Sequence, residues 1–405
     1  MVRRPGPAQS KLRRKTTEWK KGKMSSQSFS AEELGERGPL RIGNAKAWRV
    51  SIEMHEPFRI SSGEVSCKEA IVVRLSNGEN FGWGESSAMP GSFYSADTPD
   101  SCQHELVERI LPRLAGQIFS DMLSFEEYLA SETPSRFVRV ALETAAWELL
   151  AREAGQSLRQ FFGLPERDIA SGLAVGLYDT DEQLRKALDG YRPRDYRRLK
   201  IKIKPGFDVR LVRAVREWYG DIPLFVDANA AYSMRDIEVF KELDRYGLMM
   251  IEQPFAKEDL EGSAALQREI KTPVCFDESV ETIKDAIRAA SLCACQIINI
   301  KLQRIGGFLE ALRIAGFCQQ NGIGLWMGTM PELGIGSAQA IVFGSHPGCI
   351  YPTDVEPSSR WYKGDILAQP LALKGDTWKL PEGPGLGFTV DMNLLEHYSS
   401  RSWSF

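Results

Sequence analysis

From about residue 170 the chain settles into a rhythm of short apolar runs, most of them ending in charged or polar residues and followed by an amphipathic stretch. The runs are Leu173-Ala-Val-Gly-Leu, Leu199-Lys-Ile-Lys-Ile, Leu224-Phe-Val-Asp, Met249-Met-Ile-Glu, Val274-Cys-Phe-Asp, Ile297-Ile-Asn-Ile-Lys, Leu325-Trp-Met-Gly and Ile350-Tyr-Pro-Thr-Asp. Most begin about 25 residues after the run before, the length of one β-α unit. Eight such runs predict a closed parallel barrel rather than an open sheet, because strands covered on both faces stay apolar until they emerge. The last connection, Pro331 to Gly348, reads as helix too. The expected fold is α/β, a (β/α)7β TIM-like barrel over residues 166–365.

With 405 residues there is chain left for a second module. Trp48 to Met54, Ala70 to Leu75 and Phe81 to Glu85 alternate as strands do, with Ser76-Asn-Gly-Glu as a hairpin turn between the last two. Residues 101–165 read as helices, with Val138, Ala141, Leu142, Ala145 and Leu149 along one face. Residues 46–165 therefore form an α+β module. The tail 366–405, including Gly383-Pro-Gly-Leu-Gly, is expected to return and complete it.

Residues 1–45 read as a basic, disordered leader. Its first 24 residues hold nine basic side chains (Arg3, Arg4, Lys11, Arg13, Arg14, Lys15, Lys20, Lys21 and Lys23) against one acid, Glu18. A tail for an anionic partner is one reading; a leader outside the core, or a start at Met24, is the preferred one. The net charge of −3 gives no pull toward nucleic acid or membrane, and no apolar run is long enough to span a bilayer. Seven scattered cysteines do not suggest a secreted disulfide framework, and Cys293-x-Cys295 lacks the partners of a zinc site. A cytoplasmic enzyme, assembled as a homo-oligomer and acting on a small molecule, is expected.

Active residues of parallel barrels gather where the strands end. Here those ends carry Lys200 and Lys202, Asp227, Glu252, Asp277 and Lys301, on five consecutive runs. The acids Asp227, Glu252 and Asp277 are spaced 25 residues apart. Three carboxylates converging on one point repel one another, and a hard dication in an oxygen shell relieves that, so Mg²⁺ or Mn²⁺ is expected. Lys200 and Lys202 alternate along one strand and share a face; Lys301 lies further round the barrel. Bases on two sides of one carbon can each handle a proton on one face, and a lysine beside another cation has a lowered pKa. Any one of these acids reads equally well as a buried ion pair or a helix cap; the set in register is what argues for a site. Lys204 and Arg304 read as solvated loop charges.

The motifs Lys200-Ile-Lys-Ile-Lys-Pro-Gly, Asp227-Ala-Asn, Ile251-Glu-Gln-Pro, Asp277-Glu-Ser and Asn299-Ile-Lys-Leu-Gln-Arg-Ile-Gly-Gly resemble those of the enolase superfamily, in its muconate-lactonizing branch. Asp354 and Ser358-Ser-Arg-Trp-Tyr match in kind, and the similarity runs from about residue 50 to 390. Within that branch the chain is similar to the N-succinylamino acid racemase/o-succinylbenzoate synthase family. The resemblance implies metal ligation by Asp227, Glu252 and Asp277. It implies acid/base roles for Lys202 and Lys301 on opposite faces, with Lys200 tuning Lys202 and stabilising charge. It also implies an α+β capping domain built from both termini, whose loop after Pro57-Phe-Arg-Ile-Ser-Ser-Gly closes on a carboxylate substrate. Histidine-based branches are excluded, since His55, His104, His346 and His397 do not lie at the required strand ends.

Two stretches depart from the family. The seventh run is followed by Gly328-Thr-Met-Pro-Glu-Leu-Gly rather than Gly-Gly-Met-x-Glu-Thr-Gly, and the eighth by Asp354-Val-Glu356 where small residues are expected after the Asp. An Asp-x-acid pair resembles the dipeptide epimerases, in which it holds a substrate ammonium; a surface loop acid is the preferred reading of Glu356. Asn229, Gly328, Met330, Asp354 and Glu356 are the expected substrate contacts. The functional expectation is an enzyme that removes the proton α to a carboxylate, as an N-acylamino acid racemase or o-succinylbenzoate synthase. A dipeptide epimerase, another muconate-cycloisomerase-like enzyme and a non-catalytic binding protein are the alternatives.

Overall fold

A computed structural model describes residues 30–60, 63–91, 94–380 and 382–405. Of the expected leader 1–45, the basic segment and Met24 lie outside the described residues, but residues 30–45 are ordered: Ala31–Gly35 is helical, Leu40–Arg41 is extended, and Leu34, Leu40 and Ile42 are buried apolar side chains that join the core. An antiparallel sheet comes first: β1 (Asn44–Ile60), β2 (Gly63–Ser76) and β3 (Phe81–Ser86), with order β11-β1-β2-β3 once the C-terminal strand β11 (Ser399–Ser404) joins the edge. The hairpin turn after Ser76 is where the sequence places it, Asn77 N–H donating to the Asn80 carbonyl. The loop expected after Pro57-Phe-Arg-Ile-Ser-Ser-Gly is instead strand: β1 pairs with β2 out to Ile60 opposite Gly63, and β2 continues from Gly63. Extended, half-apolar sequence on both arms explains why the ladder continues that far.

The helix α1 (Arg136–Glu153), capped by Ser135 Oγ, packs on this sheet with Val138, Ala141, Leu142, Ala145 and Leu149 all buried. Their spacing puts them on one stripe of the helix, the stripe that meets β3.

Seven short parallel strands follow: β4 (Leu173–Val175), β5 (Leu199–Lys202), β6 (Leu224–Asp227), β7 (Ile251–Glu252), β8 (Val274–Phe276), β9 (Ile297–Ile300) and β10 (Gly324–Met327). They pair in sequence order. The eighth run does not form a regular strand. Cys349 bridges Leu325 and Thr353 bridges Ser171, each in parallel, so this segment still closes the ring between β10 and the residues before β4. Pro352 sits in the middle of the run and has no N–H to offer a ladder, which accounts for the interruption. Before it, the expected helix is present as α2 (Gly334–Gly344), buried along its length. All seven cysteines are free. Among the described residues no helix is long and apolar enough to cross a membrane.

Candidate active site

Inside the barrel, side chains stack in layers of period two. Phe225, Met250, Cys275, Ile297 and Trp326 form a closed apolar floor. Two residues further along the same strands stand Asp227, Glu252, Asp277, Asn299 and Gly328, at the end where the strands emerge. The same alternation puts Arg198, Lys200 and Lys202 on one face. All three are buried, and the Arg198 guanidinium lies over the Phe225 ring at 4.7 Å. Lys204, as expected, is exposed in the loop beyond.

The Lys200 ammonium stands between three carboxylates, 3.0 Å from Asp227 Oδ2, 2.7 Å from Glu252 Oε2 and 3.2 Å from Asp354 Oδ2. Lys202 donates to Asp227 Oδ2 at 2.8 Å and to Asn229 Oδ1 at 2.7 Å. Across the barrel Lys301 follows β9, which is separated from β5 by three intervening strands, and donates to Asp277 Oδ2 at 2.8 Å. The two lysine sites therefore face each other over the row of acids.

Their electrostatics differ. Burial lowers the pKa of Lys202; Asp227 opposes that, and the neighbouring Lys200 ammonium adds to it. Burial also acts to lower Lys301, but Tyr94, Glu278, Glu252 and Asp227 outweigh it and the pKa is raised. Lys200 is likewise raised, since Asp227, Asp354 and Glu252 overcome its burial. The two lysine sites are thus shifted in opposite directions, Lys202 downward and Lys301 upward.

Arg304 is not a solvated loop charge. It is buried, its guanidinium pairs with Asp277 and donates to the Asn299 carbonyl, and its Nε–H donates to the Val280 carbonyl at 3.2 Å. The short helix Leu302–Ile305 after β9 turns it back beneath the site, a reversal that strand alternation could not predict. Two more charges of the site are not among the residues that the sequence singles out. Arg198 pairs with Asp354, and its parity with Lys200 and Lys202 is the signal that could have found it. Glu278 is the middle residue of Asp277-Glu-Ser; burial raises its pKa, and its Oε2 accepts no hydrogen bond.

The expected substrate contacts divide. Asn229 engages Lys202 directly, and Met330 lines a small cavity beside Phe58. Gly328 backs onto Asn299, whose Oδ1 would lie 2.2 Å from an added Cβ. Asp354 lies beneath Lys200, spent on Arg198 and Lys200. Glu356 is not a surface acid. It is buried, accepts from the Ala174 N–H at 2.8 Å, lies 3.3 Å from Arg360, and burial pushes its pKa up to about 7.

Among the described residues no three acid, histidine or cysteine side chains are drawn together closely enough to hold a metal, because Lys200 stands between Asp227 and Glu252. The donor set nevertheless fits one. Every candidate atom is a carboxylate oxygen; the buried Glu252 Oε2 meets the Lys200 ammonium at 2.7 Å, and the buried Glu278 Oε2 accepts no hydrogen bond.

Residues 44–163 match the N-terminal domain family of mandelate racemase / muconate lactonizing enzyme, and residues 179–394 match the enolase C-terminal domain-like family. The chain belongs to the enolase superfamily. Enzymes of this superfamily generally use a divalent metal. An o-succinylbenzoate synthase of Bacillus subtilis is 35% identical over 363 residues, 89% of this chain and 98% of its own. An N-succinylamino acid racemase of Amycolatopsis is 37% identical over 362 residues, again 89% and 98%. A solved enolase-superfamily structure from Listeria innocua superposes with a TM-score of 0.85 at 32% identity, covering 91% of this chain and 99% of that one. The protein is an enzyme of the lyase and racemase kind that these relatives represent, and the non-catalytic alternative is set aside.

Proposed function

We propose that this enolase-superfamily enzyme removes the proton α to a substrate carboxylate, acting as an N-succinylamino acid racemase, an o-succinylbenzoate synthase, or both. One observation carries the reading: Lys202 and Lys301 face each other across the barrel with carboxylates between them. Lys202, its pKa lowered by burial, takes the α-proton from one face, and the electron pair moves into the carboxylate as an enediolate. Lys301, held as an ammonium, returns a proton on the other face, which inverts the centre. For a substrate bearing a β-hydroxyl, the same abstraction ends in loss of water instead.

Asp227, Glu252 and Asp277 would hold Mg²⁺ or Mn²⁺. A dication bound there supplies positive charge where the enediolate develops. Lys200 adds a fixed positive charge and disfavours protonation of Lys202. Glu356, engaged by Arg360 and the Ala174 amide, offers little support for an ammonium site of the dipeptide epimerase kind.

The test is turnover of N-succinyl amino acids and of the synthase's substrate after exhaustive chelation. Activity should vanish and return with Mg²⁺ or Mn²⁺, while Glu252→Gln should stay folded but bind metal weakly, one carboxylate of three having been neutralised. Full turnover by a metal-free preparation would overturn the reading.

A further inference from the structure

The two lysine sites are not held alike. Lys202 lies within β5, paired in register with Asp227, and the next amide, that of Ile203, donates to the Asp227 carbonyl at 2.9 Å. Lys301 stands one residue past the end of β9, where the Gly328 amide donates to the Ile300 carbonyl at 2.8 Å. It opens the helix Leu302–Ile305, whose Arg304 and Ile305 amides donate to its carbonyl at 3.1 and 3.0 Å. A single helical turn is not stable by itself, so the groups packed around this one decide where Lys301 points.

Arg304 ties the turn inward, to Asp277 and the Asn299 carbonyl. Gln303 ties it outward. It is 1% exposed, and both ends of its side-chain amide are used. Its Nε2–H donates to the Glu85 carbonyl at 2.8 Å, and its Oε1 accepts from the Ser87 amide at 2.9 Å. β3 is the outer strand of the antiparallel sheet, and side chains occupy its free edge. The Trp83 amide donates to Glu148 of α1, and the Trp83 carbonyl accepts from Gln339 of α2. Further along that edge Gln303 engages a carbonyl and an amide together, as a neighbouring strand would. The strand end it grips is itself fixed, since the Glu85 carboxylate accepts from the Leu333 and Gly336 amides at 2.8 Å each. Just past the turn, Glu143 of α1 accepts from the Phe308 and Leu309 amides at 3.0 and 2.9 Å. The segment after Lys301 is thus fastened to the N-terminal module at two points, and Gln303 is the nearer one.

We propose that Gln303 is a positioning residue for Lys301, carrying the rigidity of the antiparallel sheet to a base that stands beyond its own strand. Its influence then falls on one face of the substrate carbon. The inference deepens the proposed function and rests on it for the role of Lys301. A base displaced by about 1 Å loses on the order of 100-fold in rate, whereas Lys202, across the barrel, keeps its place in the ladder.

The test follows α-proton loss in deuterium oxide from each enantiomer of N-succinylphenylalanine with metal-loaded Gln303→Met, a side chain of similar length that makes neither bond. Lys202→Ala and Lys301→Ala identify which enantiomer each lysine serves. Gln303→Met should slow the Lys301 enantiomer by about 10- to 100-fold in kcat with KM little changed, and leave the Lys202 enantiomer within about twofold of the parent. Equal slowing of both enantiomers, or of neither, would overturn the inference and leave Gln303 a structural residue. Should Gln303→Met not fold, Gln303→Asn, which keeps the amide but falls one carbon short of β3, is read by the same criterion; failure of both to fold would also overturn it. If the parent exchanges neither enantiomer, or the two lysine variants do not separate them, the proposed function fails instead. Amide hydrogen exchange followed by mass spectrometry then decides for Gln303. Faster exchange over residues 302–307 in the variant, with β5 unchanged, supports it; any other pattern overturns it.

Discussion

Asp354 is the anion of two buried cations, Arg198 and Lys200. Burial alone would raise its pKa, but Arg198 and Lys200 outweigh burial and hold it below the usual carboxylate range. A carboxylate depressed in this way contributes stability above its unfolded pKa of about 3.9 and loses it as pH falls through the lower folded value. Asp354→Asn leaves the fully buried Arg198 without its anion, at a cost of about 3–5 kcal/mol. Urea unfolding at pH 7 measures it, and the gap between variant and parent should narrow on acidification below about pH 4. An unchanged urea midpoint at pH 7 would mean that Arg198 finds another partner. Three further residues near the lysines and acids sit in the left-handed region without being glycine: Asn229 at φ 41°, Ala230 at 60° and Gln253 at 39°. Each costs on the order of 1–3 kcal/mol, and they lie just past the ends of β6 and β7. That strain turns Asn229 back toward Lys202, where its Oδ1 accepts from the ammonium.

Between elements, β3 and α1 approach each other closely. A Cβ on Gly84 would lie 1.7 Å from the Ala141 carbonyl oxygen, and one on Gly82 would lie 2.0 Å from that of Ala145. Backbone meets backbone there, and the Trp83 amide between them donates to Glu148 Oε2 at 2.6 Å. Gly84→Ala must push helix and sheet apart, so a loss of at least about 3 kcal/mol is expected, read as a lowered melting temperature. A melting temperature within a degree of the parent would show that the contact yields. Seven of the eight barrel strands were legible because evenly spaced apolar runs suit few architectures besides a β-α repeat, and the lysine and acid positions followed from alternation. What escaped depended on local reversals. Pro352 broke the eighth run into bridges, a one-turn helix folded Arg304 inward, and Arg360 four residues on drew Glu356 into the interior. The length of the β1–β2 hairpin was also missed, since a closing loop was expected right after Pro57-Phe-Arg-Ile-Ser-Ser-Gly.

In the whole molecule that hairpin ties the two modules together at the site. Phe58 meets Trp361 edge-on at 5.1 Å and lies over Lys202, while the Leu177 amide at the barrel's first strand end donates to the Arg59 carbonyl at 3.1 Å. β11 closes the other side, carrying the C-terminus back to β1. The barrel supplies the charged groups, and Phe58 of the antiparallel sheet lies against one of them, Lys202. The central claim is that Lys202 and Lys301 each serve one face of the α-carbon. Proton NMR in deuterium oxide tests it most directly, following α-proton loss from each enantiomer of an N-succinyl amino acid with the metal-loaded Lys202→Ala and Lys301→Ala enzymes. Each variant should exchange one enantiomer only, opposite in the two cases, and neither should racemise. If both variants exchange both enantiomers at the parent rate, the base lies elsewhere and the two-lysine mechanism is wrong.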